Sequence, residues 1–190
     1  MKINGRLILF TIALVAIATA CKFYFGPNIE WSGFSPVIAI ALFSGFIIKQ
    51  KDNSFLLPLL ALFFSDVAIQ VLFQQGLFDY PGFYGGQWKN YAILLISTLI
   101  GWGLKGRSYG SLLAGGLLAP TVFFLVSNLI VWSGAGAEAM YPKSFSGLML
   151  CYEAGLPFFK NSVMATLVFV PVIALTYNGL MQKKAGIRLA

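Results

Sequence analysis

The sequence has no histidine, two cysteines and few charges. Without histidine it lacks the commonest general base and the commonest metal-ligating side chain. Two cysteines are too few for a structural zinc site, which takes four protein ligands. No glycine-rich phosphate loop, nucleophile elbow or metalloprotease helix motif occurs. The expectation is therefore no catalytic residues, no metal and no cofactor, and a chain that is not an enzyme. Charged residues make up 10% of the sequence, whereas a soluble fold averages about 25% and uses them to cover its surface. That shortage excludes an ordinary soluble fold and leaves no room for a soluble catalytic domain.

What is present is apolar: hydrophobic residues reach 58% and mean hydropathy is +0.82. The net charge of +7 does not indicate nucleic acid. The basic residues gather in short clusters between apolar runs instead of along one surface, as membrane topology requires. A bilayer core of ~30 Å takes about 20 apolar residues in a helix. On that measure the sequence predicts six transmembrane helices at about 7–25, 32–48, 55–73, 88–104, 109–132 and 162–181. The second is short and borrows Trp31 to Phe34 at its outer end. Ser144 to Phe159 is apolar but broken by Gly147, Glu153, Gly155 and Pro157, and reads as an interfacial or re-entrant segment before the last helix. The fold class expected is an all-α membrane bundle forming a single transmembrane domain.

Orientation follows from the basic residues. With both termini in the cytoplasm, Lys2, Arg6, Lys49, Lys51, Lys105, Arg107, Lys183, Lys184 and Arg188 fall inside, and Lys22, Lys89, Lys143 and Lys160 outside. This bias at every inner segment is the positive-inside pattern and predicts a multi-pass protein of the cell (inner) membrane with both ends inside. Most of the acids (Glu30, Asp79, Glu138, Glu153) lie outside, as do the long, aromatic-rich connections. A second reading of the first helix exists: Ala18, Thr19 and Ala20 before Cys21 resemble a signal-peptide cleavage site. The absence of a polar linker after it (Lys22, Phe23, Tyr24, Phe25) and the small face Ala13, Ala16, Ala20 favour a retained helix. Cys21 and Cys151 both fall on the outer side and would pair only if their Cα atoms came within about 7 Å.

Asp66 is the most informative position. It lies about 18 Å into the third span, where a carboxylate is costly and faces a bundle interior or a water-filled cavity. Gln70 is one turn on. Lys22, Lys89 and Lys160 sit near outer helix ends, within snorkelling reach. Asn90 and Tyr91 open the fourth span, Ser127 and Asn128 close the fifth, and Asn161 opens the sixth. If these faces converge, Asp66, Gln70, Asn90, Tyr91, Asn128, Trp31 and Tyr152 line a polar, aromatic-capped ligand site open to the outside. The competing reading is an acid that stitches helices together through Asn128 or Asn90, with Trp31, Trp88 and Trp132 in the usual interfacial belt. Pro120, Pro171 and the glycines of the spans fit kinks and close packing. For an integral membrane enzyme, Asp66 and Glu153 are the candidate acids, with no metal ligands beside them.

Several runs carry a resemblance: Phe34-Ser35-Pro36-Val37 leading into Ala39 to Gly45, Leu56 to Asp66, and Pro120 to Trp132. Further runs are Tyr141-Pro142-Lys143, Ser146-Gly147-Leu148, Cys151-Tyr152 and Pro157-Phe158-Phe159. Together they resemble an uncharacterised family of small bacterial membrane proteins assigned to transport, over about Trp31 to Phe169. Those proteins are similar in size and span count to the S components of energy-coupling factor vitamin transporters. The resemblance implies capture of a small, vitamin-like organic molecule from outside, energised by a coupling subunit with ATPases. It also implies docking of that partner on Ala16 and Ala20 of the first helix. The alternative is a non-transporting accessory or assembly subunit held in the lipid bilayer by other membrane subunits.

Overall fold

The computed structural model describes residues 5–48, 51–104, 108–134 and 140–181, and among these every regular element is helical. The helices are α1 (Gly5–Phe25), α2 (Val37–Ile47), α3 (Lys51–Gln74), α4 (Trp88–Gly103), α5 (Tyr109–Trp132) and α6 (Phe145–Met181). Four contain stretches long and apolar enough to cross a membrane: Ile8–Phe25, Ser54–Gln74, Tyr109–Trp132 and Phe145–Leu180. The chain is thus a helical, multi-pass membrane protein.

The shortest helix is the centre of the fold. α2 (VIAIALFSGFI) has no polar face, and its residues from Val37 to Phe46 are all buried. A helix apolar all round is stable only when surrounded, and α2 packs against α3, α4, α5 and α6. Its 11 residues rise about 16 Å, well short of the ~30 Å hydrocarbon core. It begins at Val37, not at Ser32 as expected: Gly33 adopts a positive φ of 89°, and Trp31 to Phe34 form hydrogen-bonded turns. The core grows outward from α2 through Phe10, Leu14 and Ala18 of α1, Leu57 and Ala61 of α3, Leu94 of α4, Leu112 and Ala119 of α5, and Val170, Ile173 and Ala174 of α6. At its end Phe10 and Phe43 each meet Tyr177 edge-on at 5.5 Å and face each other tilted at 6.4 Å.

The largest departure from expectation is α6. The stretch from Ser144 to Phe159 is no separate interfacial segment, because Phe145–Met181 is one helix of 37 residues with Pro157 and Pro171 inside it. Breaking a helix in an apolar setting would strand several backbone groups, whereas an internal proline frees only one or two. Continuing is the cheaper solution. The first half of α6 pairs with the end of α5 as a hairpin arm. Phe124 stacks on Phe159 at 4.7 Å, and Trp132 Nε1 donates to the Pro142 carbonyl (2.9 Å) to close the connection.

The connections 26–36 and 75–87, with the described residues 133–134 and 140–144 between α5 and α6, define a loop-rich end. The opposite connections and both termini, carrying Lys2, Lys49, Lys105, Arg107, Lys183, Lys184 and Arg188, lie outside the described residues, as does Glu138.

Candidate functional site

The polar residues expected to share one pocket are distributed over three places near the loop-rich end. The first is built on Asp66. Its side chain is 2% exposed and accepts from three donors. Lys22 reaches down from the last turn of α1 and forms an ion pair with Oδ1. The Tyr91 hydroxyl of α4 and Gln87 Nε2 (2.6 Å) both bond Oδ2. Gln87 also donates to the Gly82 carbonyl at 3.0 Å, and Gln70 accepts from the Phe83 backbone N–H at 3.2 Å. Connection 75–87 therefore folds back as a cap over the acid. Glycine is required at its centre, since a Cβ at Gly82 would lie 2.0 Å from the Asp66 carbonyl. Phe78, stacked on Phe23 and edge-on to Tyr80, secures the cap to α1. Burial raises the Tyr80 phenol above its ordinary value, with Asp79 adding to the rise. The Tyr84 phenol is raised by burial too, its hydrogen bond from Asn90 opposing and the Asp66 charge reinforcing. Both hydroxyls stay protonated near neutrality.

The snorkelling expected of Lys22 is what the structure shows, and the stitching partners are Lys22, Gln87 and Tyr91 in place of Asn128 or Asn90. Asn90 donates instead to the Tyr84 hydroxyl at 2.7 Å. Gln87 was not foreseen, because a residue in a connection has no depth that helix counting can assign.

The second place is a seam between α5 and α6. Asn128 Nδ2 donates to the Phe124 carbonyl (2.9 Å), and the Cys151 thiol lies against the Asn128 carbonyl at 3.4 Å. The Tyr152 hydroxyl donates to the Leu125 carbonyl at 3.0 Å. Gly155 makes room, since a Cβ there would come within 2.7 Å of Asn128 Oδ1. The Cys151 and Tyr152 contacts join the two helices. Asn128 and Asp66 do not converge, because α5 packs on α2, α4 and α6 whereas α3 packs on α1, α2 and α4. Cys21 and Cys151 are each buried and unpaired.

The third place is a cleft of about 400 Å³ lined by Glu30, Trp31, Pro157, Lys160, Asn161 and Met164. Connection 26–36 forms one wall and α6 the other. Asn161, 2% exposed, fastens them together: its Nδ2 donates to the carbonyls of Glu30 (2.7 Å) and Ser32 (2.9 Å). Gly33 approaches α6 so closely that a Cβ would lie 3.0 Å from the Phe158 carbonyl. The Trp31 ring is braced by Phe25 and Phe34 at 5.7 and 5.8 Å. Of the residues expected to bind ligand, Trp31 alone borders this cleft. Glu30, Lys160 and Asn161 join it because a chain reversal brings loop and helix together across some 130 residues.

The chain matches a family model described as a family of unknown function (DUF6580) over residues 1–187. It belongs to that family. No curated protein and no solved structure matches it. In this DUF6580 chain Ala16 and Ala20 lie on the exposed face of α1, opposite the buried Phe10, Leu14, Ala18 and Cys21. Among the described residues no group of three or more metal-ligating side chains comes together.

Proposed function

We propose that this DUF6580 protein is the membrane-embedded solute-binding subunit of a transporter. It takes a small, vitamin-sized organic molecule from the outer face of the bacterial inner membrane. The loop-rich end is the outer one, with both termini cytoplasmic. The observation that carries this reading is the cleft of about 400 Å³ between connection 26–36 and α6, within the ~300–1,000 Å³ range of small-molecule sites. Its lining is half apolar (Trp31, Pro157, Met164) and half polar or charged (Glu30, Lys160, Asn161), so an apolar surface stands beside groups able to orient a ligand. Asp66, whose acceptor positions are occupied by Lys22, Gln87 and Tyr91, acts as the support that holds the neighbouring loop, not as a ligand contact. Energy comes from a partner with ATPase subunits, docked on the exposed Ala16 and Ala20 face, since the sequence has no nucleotide motif.

The test is thermal stabilisation of the purified protein in nanodiscs against a panel of vitamins and small metabolites. At least one compound is expected to raise the melting temperature in the parent and not in Trp31→Ala. Stabilisation by none, together with stable co-purification of other membrane subunits, would establish the alternative, a non-transporting accessory subunit. The sealed Asp66 network favours that second reading, because it shows polar residues at the loop-rich end spent on holding the fold.

A further inference from the structure

Two charges border the cleft without compensating each other. Glu30 stands on the loop wall and Lys160 on the helix wall. Both are exposed, and among the described residues the ion pair is that of Lys22 with Asp66. Asn161 also lines the cleft; it has committed its Nδ2 hydrogens to the Glu30 and Ser32 carbonyls, and among the described residues its Oδ1 has no hydrogen-bond donor. The cleft thus offers an anion, a cation, one neutral acceptor and the braced face of Trp31.

We propose that the cleft takes a small zwitterion: a molecule with a primary ammonium, an anionic group and a short apolar part. The ammonium meets the Glu30 carboxylate and Asn161 Oδ1, the anionic group meets the Lys160 ammonium, and the apolar part lies against Trp31 and Met164. This rests on the solute-binding reading above and adds the class of solute. The physical reason is desolvation. A bound molecule strips water from both protein charges, and a ligand with a single charge would leave one of them dehydrated and unpaired. A zwitterion compensates both, so discrimination arises from the penalty on the wrong ligand as much as from contacts with the right one. The cleft's size suits a molecule on the scale of an amino acid better than a large cofactor. The same chemistry exists free in solution, as in an apolar α-amino acid, and at the bilayer surface, as in an ethanolamine phospholipid headgroup.

The experiment is titration calorimetry on the full chain in phosphatidylglycerol nanodiscs, whose lipid headgroup carries no ammonium. The probes are L-leucine and L-phenylalanine, their methyl esters (cation only), their N-acetyl derivatives (anion only) and glycerophosphoethanolamine. The expected result is binding of an amino acid or of the headgroup, with each single-charge derivative weaker by about tenfold or more. Glu30→Gln should weaken the zwitterion and leave the N-acetyl compound unchanged. Lys160→Gln should weaken it and leave the methyl ester unchanged. Both side chains are exposed, so an unchanged melting temperature verifies folding. Binding by the headgroup alone assigns the ligand to the bilayer, and by an amino acid alone to solution; either supports the proposal. A single-charge derivative as tight as its parent, or no effect of either variant, overturns the zwitterion and leaves solute binding standing if Trp31→Ala still abolishes it. Silence from every probe overturns the zwitterion; solute binding falls with it only if the vitamin and metabolite panel is silent too.

Discussion

Asp66 receives its three donors from three different segments, Lys22 on α1, Gln87 in connection 75–87 and Tyr91 on α4. A buried ion pair with further hydrogen bonds contributes little net stability over a well-packed apolar replacement, but removing one member leaves the other uncompensated. Asp66→Ala is expected to lower the unfolding free energy by about 3–5 kcal/mol, measured by denaturation in mild detergent. The double variant Lys22→Met/Asp66→Leu should lose clearly less than that, and an equal loss would mean the charge pair is not what the single variant breaks. Asn161 is the corresponding residue of the cleft. Asn161→Leu removes both bonds to the loop carbonyls and should cost about 2 kcal/mol, while also weakening any ligand that Trp31→Ala weakens. Depth along a span made Asp66 and Asn161 legible as polar groups in apolar surroundings. Lys22 and Tyr91 were legible as neighbours of Asp66 from their depth, whereas Gln87 and, for Asn161, Glu30 were not, because they lie in connections.

At the scale of elements, α2 and α4 approach closely because each presents a glycine to the other's backbone. A Cβ at Gly45 would lie 2.0 Å from the Thr98 carbonyl, and one at Gly101 would lie 2.2 Å from that of Leu42. Backbone cannot yield as a side-chain tip can. Gly45→Ala or Gly101→Ala is therefore expected to force the helices apart and to destabilise by about 1–3 kcal/mol. Gly103→Ala, where nothing lies within 4 Å, should have no such effect, and equal melting temperatures for all three would refute the account. The cap 75–87 carries a pH dependence of defined sign. The raised Tyr80 and Tyr84 phenols bind their protons more tightly folded than unfolded. Their contribution is complete below the ordinary phenol value of about 10 and declines as pH rises through the higher folded values. Phenolate absorbance at these positions should appear later than in the unfolded chain, checked by ultraviolet titration against Tyr80→Phe and Tyr84→Phe.

For the molecule as a whole, the proposed orientation places connections 26–36, 75–87 and 133–144 outside. A membrane-impermeant maleimide should then label Gln75→Cys in intact cells and Gly110→Cys only after permeabilisation. The native Cys21 and Cys151 are buried and should stay unlabelled. Reversed labelling would invert the protein and remove the outward cleft with it. The six apolar segments were readable from hydropathy, and all six helices occur at or near those places. Among the described residues the number long enough to cross is four, because α2 and α4 are shorter, and α2 is sheltered by its neighbours on every side. No property of the α2 sequence distinguishes a helix surrounded by lipid from one surrounded by protein.

Composition and periodicity alone determined that this chain enters a membrane and that it does so as helices. Those properties are local, since each residue's cost of transfer out of water is its own. The tertiary structure decided which polar groups meet. It joined Asp66 to Lys22 across α1 and α3, kept Asn128 apart from both, and set Glu30 opposite Lys160 in the cleft. Such pairings depend on which helices pack together and where a connection folds back, and these follow from burial summed over the whole bundle.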